Sequence, residues 1–321
     1  MALGVDGVQV GCWTDEEHHT GCTVVLAAPG SLGAVAVRGG APGTREAAAL
    51  GATGSVRECH AIVLSGGSAF GLATADGVVD WCEANGIGYD KAVARIPIVG
   101  GAIVFDLRLR GTPRPGRDAG WAACEAASDA DPPMGSVGVG AGCTVGKAAG
   151  IGYGSKGGQG WAVVRDGGVT VGALVAVNPL GDVLDEQNRV LGGSRAPSDA
   201  SRFPQHAAAL SAAPEAGNAP DPLDNTIVGC LVTDARLSKP DAVRAADLAH
   251  TGIARSVSPA HTSFDGDALF LLAAQRVDAG VDLVADLAAQ AVAAAVRAGV
   301  RHATAIPGFP VDPRARTTPG T

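Results

Sequence analysis

The chain is 321 residues long, which suits one large α/β domain or two modest ones. Its 47 glycines lack a G-X-Y period, which excludes collagen, and its 46% hydrophobic content excludes wholesale disorder. A formal net charge of −8 predicts no electrostatic footprint for nucleic acid or an anionic membrane surface.

Aromatic residues make up only 4%, so Ala, Val, Gly and Leu must pack the core with backbones close together. The opening MALGVDGVQVG has neither a basic n-region nor an uninterrupted apolar stretch, so no secretory signal is expected. Nothing approaches 18 consecutive apolar residues, so no membrane span is expected either. Short β-like runs at 8–13, 22–27 and 34–38 alternate with Gly/Pro turns. A polar loop at 38–46 leads to a buried strand at 60–64. This strand feeds Gly66, Gly67 and Ser68 and a helix over about 69–84, closed by Asn85-Gly86. A strand at 96–107 and an Ala-rich helix near 118–127 follow. From 136 to 185 the sequence is strand-like with Gly-rich turns, and Asp166-Gly-Gly is a hairpin signal.

Over 187–224 the pattern dissolves into Ser, Ala, Pro, Asn and Asp, which predicts a loosely held, partly helical linker. A strand at 227–233, a helix at 240–250, a strand at 268–273 and a long helix at 282–298 come next. In that last helix Leu283, Leu287, Ala291 and Ala295 share one face. Its other faces are also Ala and Val, so burial on more than one side is expected. The prolines of 306–321 predict a tail that is disordered or draped on the surface.

Seven cysteines are an odd number, they are widely spaced, and no C-x-x-C occurs. That pattern argues against a disulfide framework or a structural zinc site, and for buried reduced thiols in a cytoplasmic protein. Glu16, Glu17, His18 and His19 read as a loop rather than a metal site, so no metal is expected.

The segment around Thr226 carries the most chemistry. A Pro-rich leader runs straight into Asn225-Thr226 and then a buried strand. An autocatalytic N-terminal nucleophile needs this layout. The hydroxyl attacks the preceding carbonyl, an ester forms, and hydrolysis frees an α-amine. With an ordinary pKa near ~8, that amine can serve as base for the adjacent hydroxyl. The bland reading is a turn before a strand. Asp265-Gly-Asp267 places two carboxylates before a strand, where they either hold an ammonium or hydroxyl or cap a solvated turn. His261 is a tempting base nearby, yet a lone His is more often a hydrogen-bonded structural residue. Lys147 closes a Gly-rich run whose spacing is not that of a phosphate loop, and it is either a desolvated amine or a surface charge. Gly66, Gly67 and Ser68 open a helix whose free N–H groups would favour an anion.

Several stretches together resemble the self-processing aminopeptidases and amidohydrolases, a family including L-aminopeptidase/D-esterase, β-peptidyl aminopeptidases and the nylon oligomer hydrolase. They are Thr20-Gly-Cys-Thr-Val-Val, Arg38-Gly-Gly-Ala-Pro-Gly-Thr-Arg-Glu, the 60–72 stretch, Ile96-Pro-Ile-Val, Phe105-Asp-Leu, Gly142-Cys-Thr-Val-Gly-Lys, Val177-Asn-Pro, Asn225-Thr226 and His261-Thr-Ser-Phe-Asp-Gly-Asp. They occur in family order across nearly the whole chain. The resemblance implies a four-layer αββα fold, layered like N-terminal-nucleophile hydrolases but with different connectivity. It also implies one domain over 1–305 that cleaves itself between Asn225 and Thr226 into 1–225 and 226–321, with 187–225 as the linker ahead of the cut and 306–321 as a tail.

By the same resemblance Thr226 is the nucleophile and Lys147 the amine that helps activate it. Asn178 offers its amide N–H to the oxyanion, and Asp265 and Asp267 orient the nucleophile and its amine. The carboxylate pair and the Thr lean toward the nylon oligomer hydrolase, since the β-aminopeptidases carry Ser and Glu at the pair. Gly66, Gly67, Ser68 and Phe105 are candidate substrate-binding residues; Phe105 stands where some members have Tyr, so a hydroxyl is missing there.

The implied activity is amide hydrolysis on short peptides, amino-acid amides or 6-aminohexanoate oligomers, with no cofactor. It needs no nucleic acid or membrane partner and takes place in a homo-oligomer, a tetramer of αβ units. Two other readings stay open. One is an acyltransferase like the ornithine acetyltransferases, which use a self-generated Thr. The other is a non-catalytic binding protein that never cleaves itself.

Overall fold

The strand segments are apolar on both faces, which suits strands covered above and below rather than strands with one wet face. In the computed structural model, which describes residues 1–107, 113–195 and 225–316, ten strands form two five-stranded sheets. In chain order they are β1 (Gln9–Asp15), β2 (Thr20–Leu26), β3 (Leu32–Val37), β4 (Thr44–Arg45), β5 (Ala61–Ser65), β6 (Val99–Ile103), β7 (Gly158–Asp166), β8 (Val169–Asn178), β9 (Thr226–Arg236) and β10 (Ala268–Asp278). The first sheet has the order β1-β2-β5-β6-β4 and the second β7-β8-β9-β10-β3. The pairs β5–β6 and β9–β10 are parallel.

Among the described residues, four helices complete the outer layers: α1 (Thr74–Ala84), α2 (Arg117–Glu125), α3 (Lys239–Ala254) and α4 (Val281–Arg301). Ala75, Val78 and Cys82 of α1 and Ala119 and Ala123 of α2 pack on Val24 and Val63 of the first sheet. The helices α3 and α4 pack on the second sheet through residues such as Ala246, Ala249, Val292 and Val296. A third core, with Val25, Ile62, Leu64, Leu174, Val228 and Phe270, lies between the sheets. The chain is therefore a four-layer αββα sandwich. Strand β9 shows how alternation builds it: Ile227 and Leu231 face the helices, whereas Val228, Cys230 and Val232 face the other sheet.

Small residues allow the close layering. A Cβ on Gly160 of β7 would sit 2.1 Å from the Ala295 carbonyl of α4, so only glycine lets helix and strand approach so far. Helix α4 is buried on several faces, from Val284 to Val300. Its length and composition alone would suit a bilayer, but 67% of its apolar window is buried inside the protein, which accounts for that composition. Helix α3 starts where Ser238 caps it, its Oγ accepting from the Asp241 N–H at 3.3 Å, with Pro240 in the first turn. All seven cysteines are free, and burial pushes the Cys59 thiol up to about 11.

Several expected boundaries move. The strand expected at 96–107 is two pieces, Ala94–Ile96 and Val99–Ile103, because Pro97 has no N–H to continue a ladder. The helix expected from 69 begins as a 3-10 turn, Ser68–Ala73. The 136–185 stretch contains 3-10 turns at Gly138–Gly140 and Ile151–Tyr153 besides the β7–β8 hairpin. The linker does not begin at 187: Val190–Gly192 pairs with Asp182–Leu184, and Asp185 ties down the backbone of Gln187 and Arg189. The remainder of the expected linker, 196–224, and the tail end, 317–321, lie outside the described residues. Residues 306–316 are packed in place, since Pro310 accepts from the Lys156 N–H, Asp312 from the Gly193 N–H, and Ala315 is buried.

Candidate active site

Thr226 is the first residue of β9 and pairs directly with Asn178, the last residue of β8. Both are buried, at 3% and 0% exposure, so a polar pair ends two strands inside the core. The Thr226 hydroxyl donates to the carbonyl oxygen of its own neighbour, Asn225. That same oxygen accepts the Gly266 N–H at 2.9 Å.

Asp265 and Asp267 flank Gly266, and each is 1% exposed. They are not a solvated turn. Asp265 accepts the Leu180 N–H through Oδ1 at 3.2 Å and the Thr262 N–H through Oδ2 at 2.9 Å, with the Thr262 hydroxyl on the same oxygen. Asp267 accepts the Ile227 N–H through Oδ1 at 2.6 Å and meets His261 Nδ1 through Oδ2 at 2.7 Å. The Asp267 carboxylate thus fixes the strand backbone one residue after Thr226. The polar loop after β3 is laid over this segment: the Arg38 and Gly39 N–H groups donate to the Asp267 carbonyl, and the Ala41 N–H to the Asp265 carbonyl. A Cβ on Gly39 would sit 2.2 Å from the Asp267 nitrogen, which explains the glycine in Arg38-Gly-Gly-Ala.

Lys147 is buried, not a surface charge. Its Nζ donates to the Asn178 carbonyl at 2.9 Å and to Asn178 Oδ1 at 3.1 Å. Asn178 Oδ1 also accepts the Thr144 N–H at 2.8 Å, and Asn178 Nδ2 donates to the Phe105 carbonyl at 3.2 Å. Phe105 therefore joins the network through its backbone. Gly66, Gly67 and Ser68 gather instead around Asp106. The Gly67 N–H donates to Asp106 Oδ1 at 2.7 Å, the Thr20 hydroxyl to Oδ2 at 2.6 Å, and the Ser68 N–H to the Val104 carbonyl. The helix start expected to hold an external anion with free N–H groups is already engaged, with Asp106 supplying the negative charge. Beside Asp106, Leu107 lines a cavity of about 650 Å³ with Glu17, His19, Ile151, Ile306 and Phe309.

Two contributors escape a reading of local sequence, and a third, His261, proves to be bonded to Asp267 rather than isolated. The Gly266 N–H reaches the Asn225 carbonyl. Lys156 is fully buried and donates to the carbonyls of Gly140, Cys143 and Gly157 at 2.8–3.0 Å, which clamps the run leading to Lys147. For Lys156 no local pattern distinguishes a buried Lys in Ser-Lys-Gly-Gly from an exposed one. Among the described residues, no group of three His, Cys, Asp or Glu side chains stands ready for a metal. His18 bonds Asp15 instead, at 2.9 Å.

Burial raises the Asp265 carboxyl, and the neighbouring Asp267 charge adds to this against the Thr262 and Leu180 hydrogen bonds. Burial alone would lower His261, but its bond to Asp267 and the charge of that carboxylate outweigh burial and raise it. His250, fully buried in α3, points Nε2 at the Ala36 carbonyl at 3.2 Å, and its Nδ1 has no partner among the described residues. Burial takes it down to about 4.

A depressed His makes the folded state bind fewer protons than the unfolded chain, whose His titrates near ~6.5. Stability is therefore expected to fall as the pH drops from about 6.5 through about 4, by up to roughly 3 kcal/mol from this group. Urea unfolding at stepped pH checks this. His250→Gln should flatten the slope in that window, and parallel curves for parent and variant would count against it.

The sequence matches peptidase family S58 over residues 3–312. The chain belongs to this family. An uncharacterized aminopeptidase of Mycobacterium tuberculosis is 43% identical over 272 residues, covering 81% of this chain and 76% of the relative. The 6-aminohexanoate-oligomer endohydrolase of Paenarthrobacter ureafaciens is 32% identical over 282 residues, covering 85% and 74%. Among solved structures, a Burkholderia sp. β-aminopeptidase superposes with a TM-score of 0.72 at 20% identity, over 98% of this chain and 91% of that one. The L-aminopeptidase D-Ala-esterase/amidase of Ochrobactrum anthropi, a variant of the Ntn hydrolase fold, gives 0.71 at 20%, with the same coverage. The likeness to these two structures is one of fold. As a member of peptidase family S58, the chain is a hydrolase acting on amide bonds, of the aminopeptidase and amidase class.

Proposed function

We propose that this S58 peptidase cleaves itself between Asn225 and Thr226 and then uses Thr226 as an N-terminal nucleophile on short peptides, amino-acid amides or linear amide oligomers. The observation that carries this is the pairing at the Asn225 carbonyl: the Thr226 hydroxyl on one side and the Gly266 N–H, at 2.9 Å, on the same oxygen. An N–H in that place stabilises the negative charge that develops on the oxygen during attack, an effect worth up to ~3–4 kcal/mol per donor.

In processing, Thr226 Oγ bonds to the Asn225 carbonyl carbon while the C–N bond to Thr226 breaks. The hydroxyl proton passes to the departing nitrogen. Water then hydrolyses the ester, leaving the Asn225 carboxylate and the free Thr226 amine. In turnover that amine takes the hydroxyl proton, Oγ attacks the substrate amide carbon, and the proton goes on to the leaving amine. Water releases the acyl group. Lys147 holds Asn178 opposite the nucleophile, Asp267 holds the Ile227 N–H one residue beyond it, and in this scheme Asp265 and Asp267 orient the new amine. The relatives' names support amide substrates of the aminopeptidase and 6-aminohexanoate-oligomer kinds. A homo-oligomer of αβ units belongs to the same proposal, with Ile151 and Tyr153 as exposed apolar surface available to it.

Gel electrophoresis and intact mass test the cut. Fragments of 225 and 96 residues are expected, roughly 22 and 10 kDa by share of chain length. Edman sequencing of the smaller should begin Thr-Ile-Val-Gly. A different N-terminus in a fully active preparation would remove Thr226 from its role.

A further inference from the structure

We infer that His261 is a positioning residue for this reaction: as a cation it pairs with Asp267 and limits how firmly that carboxylate holds a proton on the freed Thr226 amine. This rests on the proposed use of Thr226, and it assigns work to a side chain that the hydrolytic scheme leaves idle.

The geometry is specific. Asp267 divides its two oxygens between the Ile227 N–H, one residue beyond the nucleophile, and His261 Nδ1 at 2.7 Å. The His261 side chain is 17% exposed and that of Asp267 2%, so water screens their contact little. The far nitrogen, Nε2, lies 3.3 Å from the His250 carbonyl, so both ring nitrogens face acceptors. Two acceptors and no donor is the environment of an imidazolium, since a neutral ring would leave one nitrogen lone pair against an oxygen. The His261 backbone adopts φ 55°, a left-handed conformation uncommon for residues other than glycine.

Other charges near the pair come from three elements. On the same loop lies the Asp265 carboxyl, which burial and Asp267 push up. From α3 the His250 ring meets His261 edge-on at 4.9 Å, and burial keeps His250 neutral down to about pH 4. From the segment after β3 comes Arg38, whose guanidinium is tied to both carboxylate oxygens of Asp247 at 2.7 Å. Among these, His261 is the cation in direct contact with Asp267.

The chemical consequence follows from the sign. The Thr226 amine works as a base only when neutral. The Asp267 carboxylate, bonded to the next backbone N–H at 2.6 Å, favours its ammonium form and raises the pH at which it becomes active. A positive His261 on Asp267 offsets that charge and keeps the amine usable at lower pH.

His261→Asn tests this. Asn is the side chain best tolerated at a left-handed position after glycine, and its amide still donates to Asp267 without carrying charge. For the processed enzyme, the acidic limb of kcat/KM should move up by roughly 0.5–1 pH unit, which is about a 3–10-fold loss below the limb and less than about 2-fold above it. A limb that stays in place, a uniform loss at every pH, or a limb that moves down overturns the inference. A second measurement does not depend on activity. In histidine-labelled protein, the His261 ring should titrate above the ordinary value near ~6.5 and fall in Asp267→Asn. A ring that titrates at or below that value in the parent also overturns it. Thr226→Ala run alongside separates the two levels: an active Thr226→Ala protein removes the proposed nucleophile itself, whereas an inactive one with an unmoved His261→Asn limb removes only the role of His261.

Discussion

Thr226→Ala should leave the polypeptide whole at 31.7 kDa and lower amide hydrolysis by ~10⁴-fold or more. One hydroxyl serves two reactions in the proposed scheme, so one substitution removes both. The protein should still fold. Alanine keeps the β-carbon, the eight residue pairs between β8 and β9 remain, and a loss of about 1 kcal/mol is the usual scale for a change of this size. Thr226→Ser and Thr226→Cys retain a nucleophile at the same carbon and should keep part of the processing. Intact mass and turnover of the purified variants decide it. Wild-type-like hydrolysis by Thr226→Ala would place the chemistry elsewhere, with Ser68 the next hydroxyl to replace.

Lys147→Ala should slow both self-cleavage and turnover by at least ~10²-fold, the range of lost acid–base assistance. The Lys147 ammonium donates to both the carbonyl and the side-chain oxygen of Asn178, which sits across from Thr226. Truncation withdraws two charge-assisted bonds from a buried group, at a cost of about 1–3 kcal/mol each. It also removes positive charge that favours a neutral amine on the nucleophile. A solvated surface Lys would behave differently, changing stability by under ~0.5 kcal/mol and leaving the rate alone. The half-time of processing on gels, with kcat measured on protein allowed to process fully, separates the two outcomes. Near-normal values for both would leave Thr226 without this partner.

The layered fold was legible because its strands and helices announce themselves through composition. A run such as Ile227 to Val232 is apolar at every position, and only a strand buried on both faces needs that. Helix α4 likewise shows its burial in the Ala and Val that surround it. The candidate site residues are legible as a set of motifs in a fixed order, not as single positions. Asn225-Thr226 by itself is indistinguishable from a turn, and Asp265-Gly-Asp267 from a loop cap. What no local pattern carried were contacts between distant segments. The glycine at 39 has its reason 226 residues away, against the Asp265 carbonyl. The N–H groups at Gly66–Ser68 look free in one dimension and meet Asp106 and Val104 in three. In one dimension His261 is a lone His, because its partner's orientation is decided by β9, whose Ile227 N–H holds the other carboxylate oxygen.

The order of strands in the second sheet gives the proposed self-cleavage a consequence beyond chemistry. The segment after Thr226 supplies β9 and β10, which lie side by side in the middle of that sheet. On one flank β9 is zipped to β8 over eight residue pairs, and on the other β10 is zipped to β3 over six. Both flanking strands belong to the other side of the cut. Before the cut, these strands find their places within a single chain, tethered at a high local concentration. Afterwards the same arrangement is a heterodimer with its smaller member wedged between two edges of the larger. Assembly has then changed order, from unimolecular to bimolecular, and the two pieces must meet by diffusion if they ever come apart. Cutting last, after the sheet has closed, is thus the sequence of events that uses the tether while it is needed and releases the amine only once it is not.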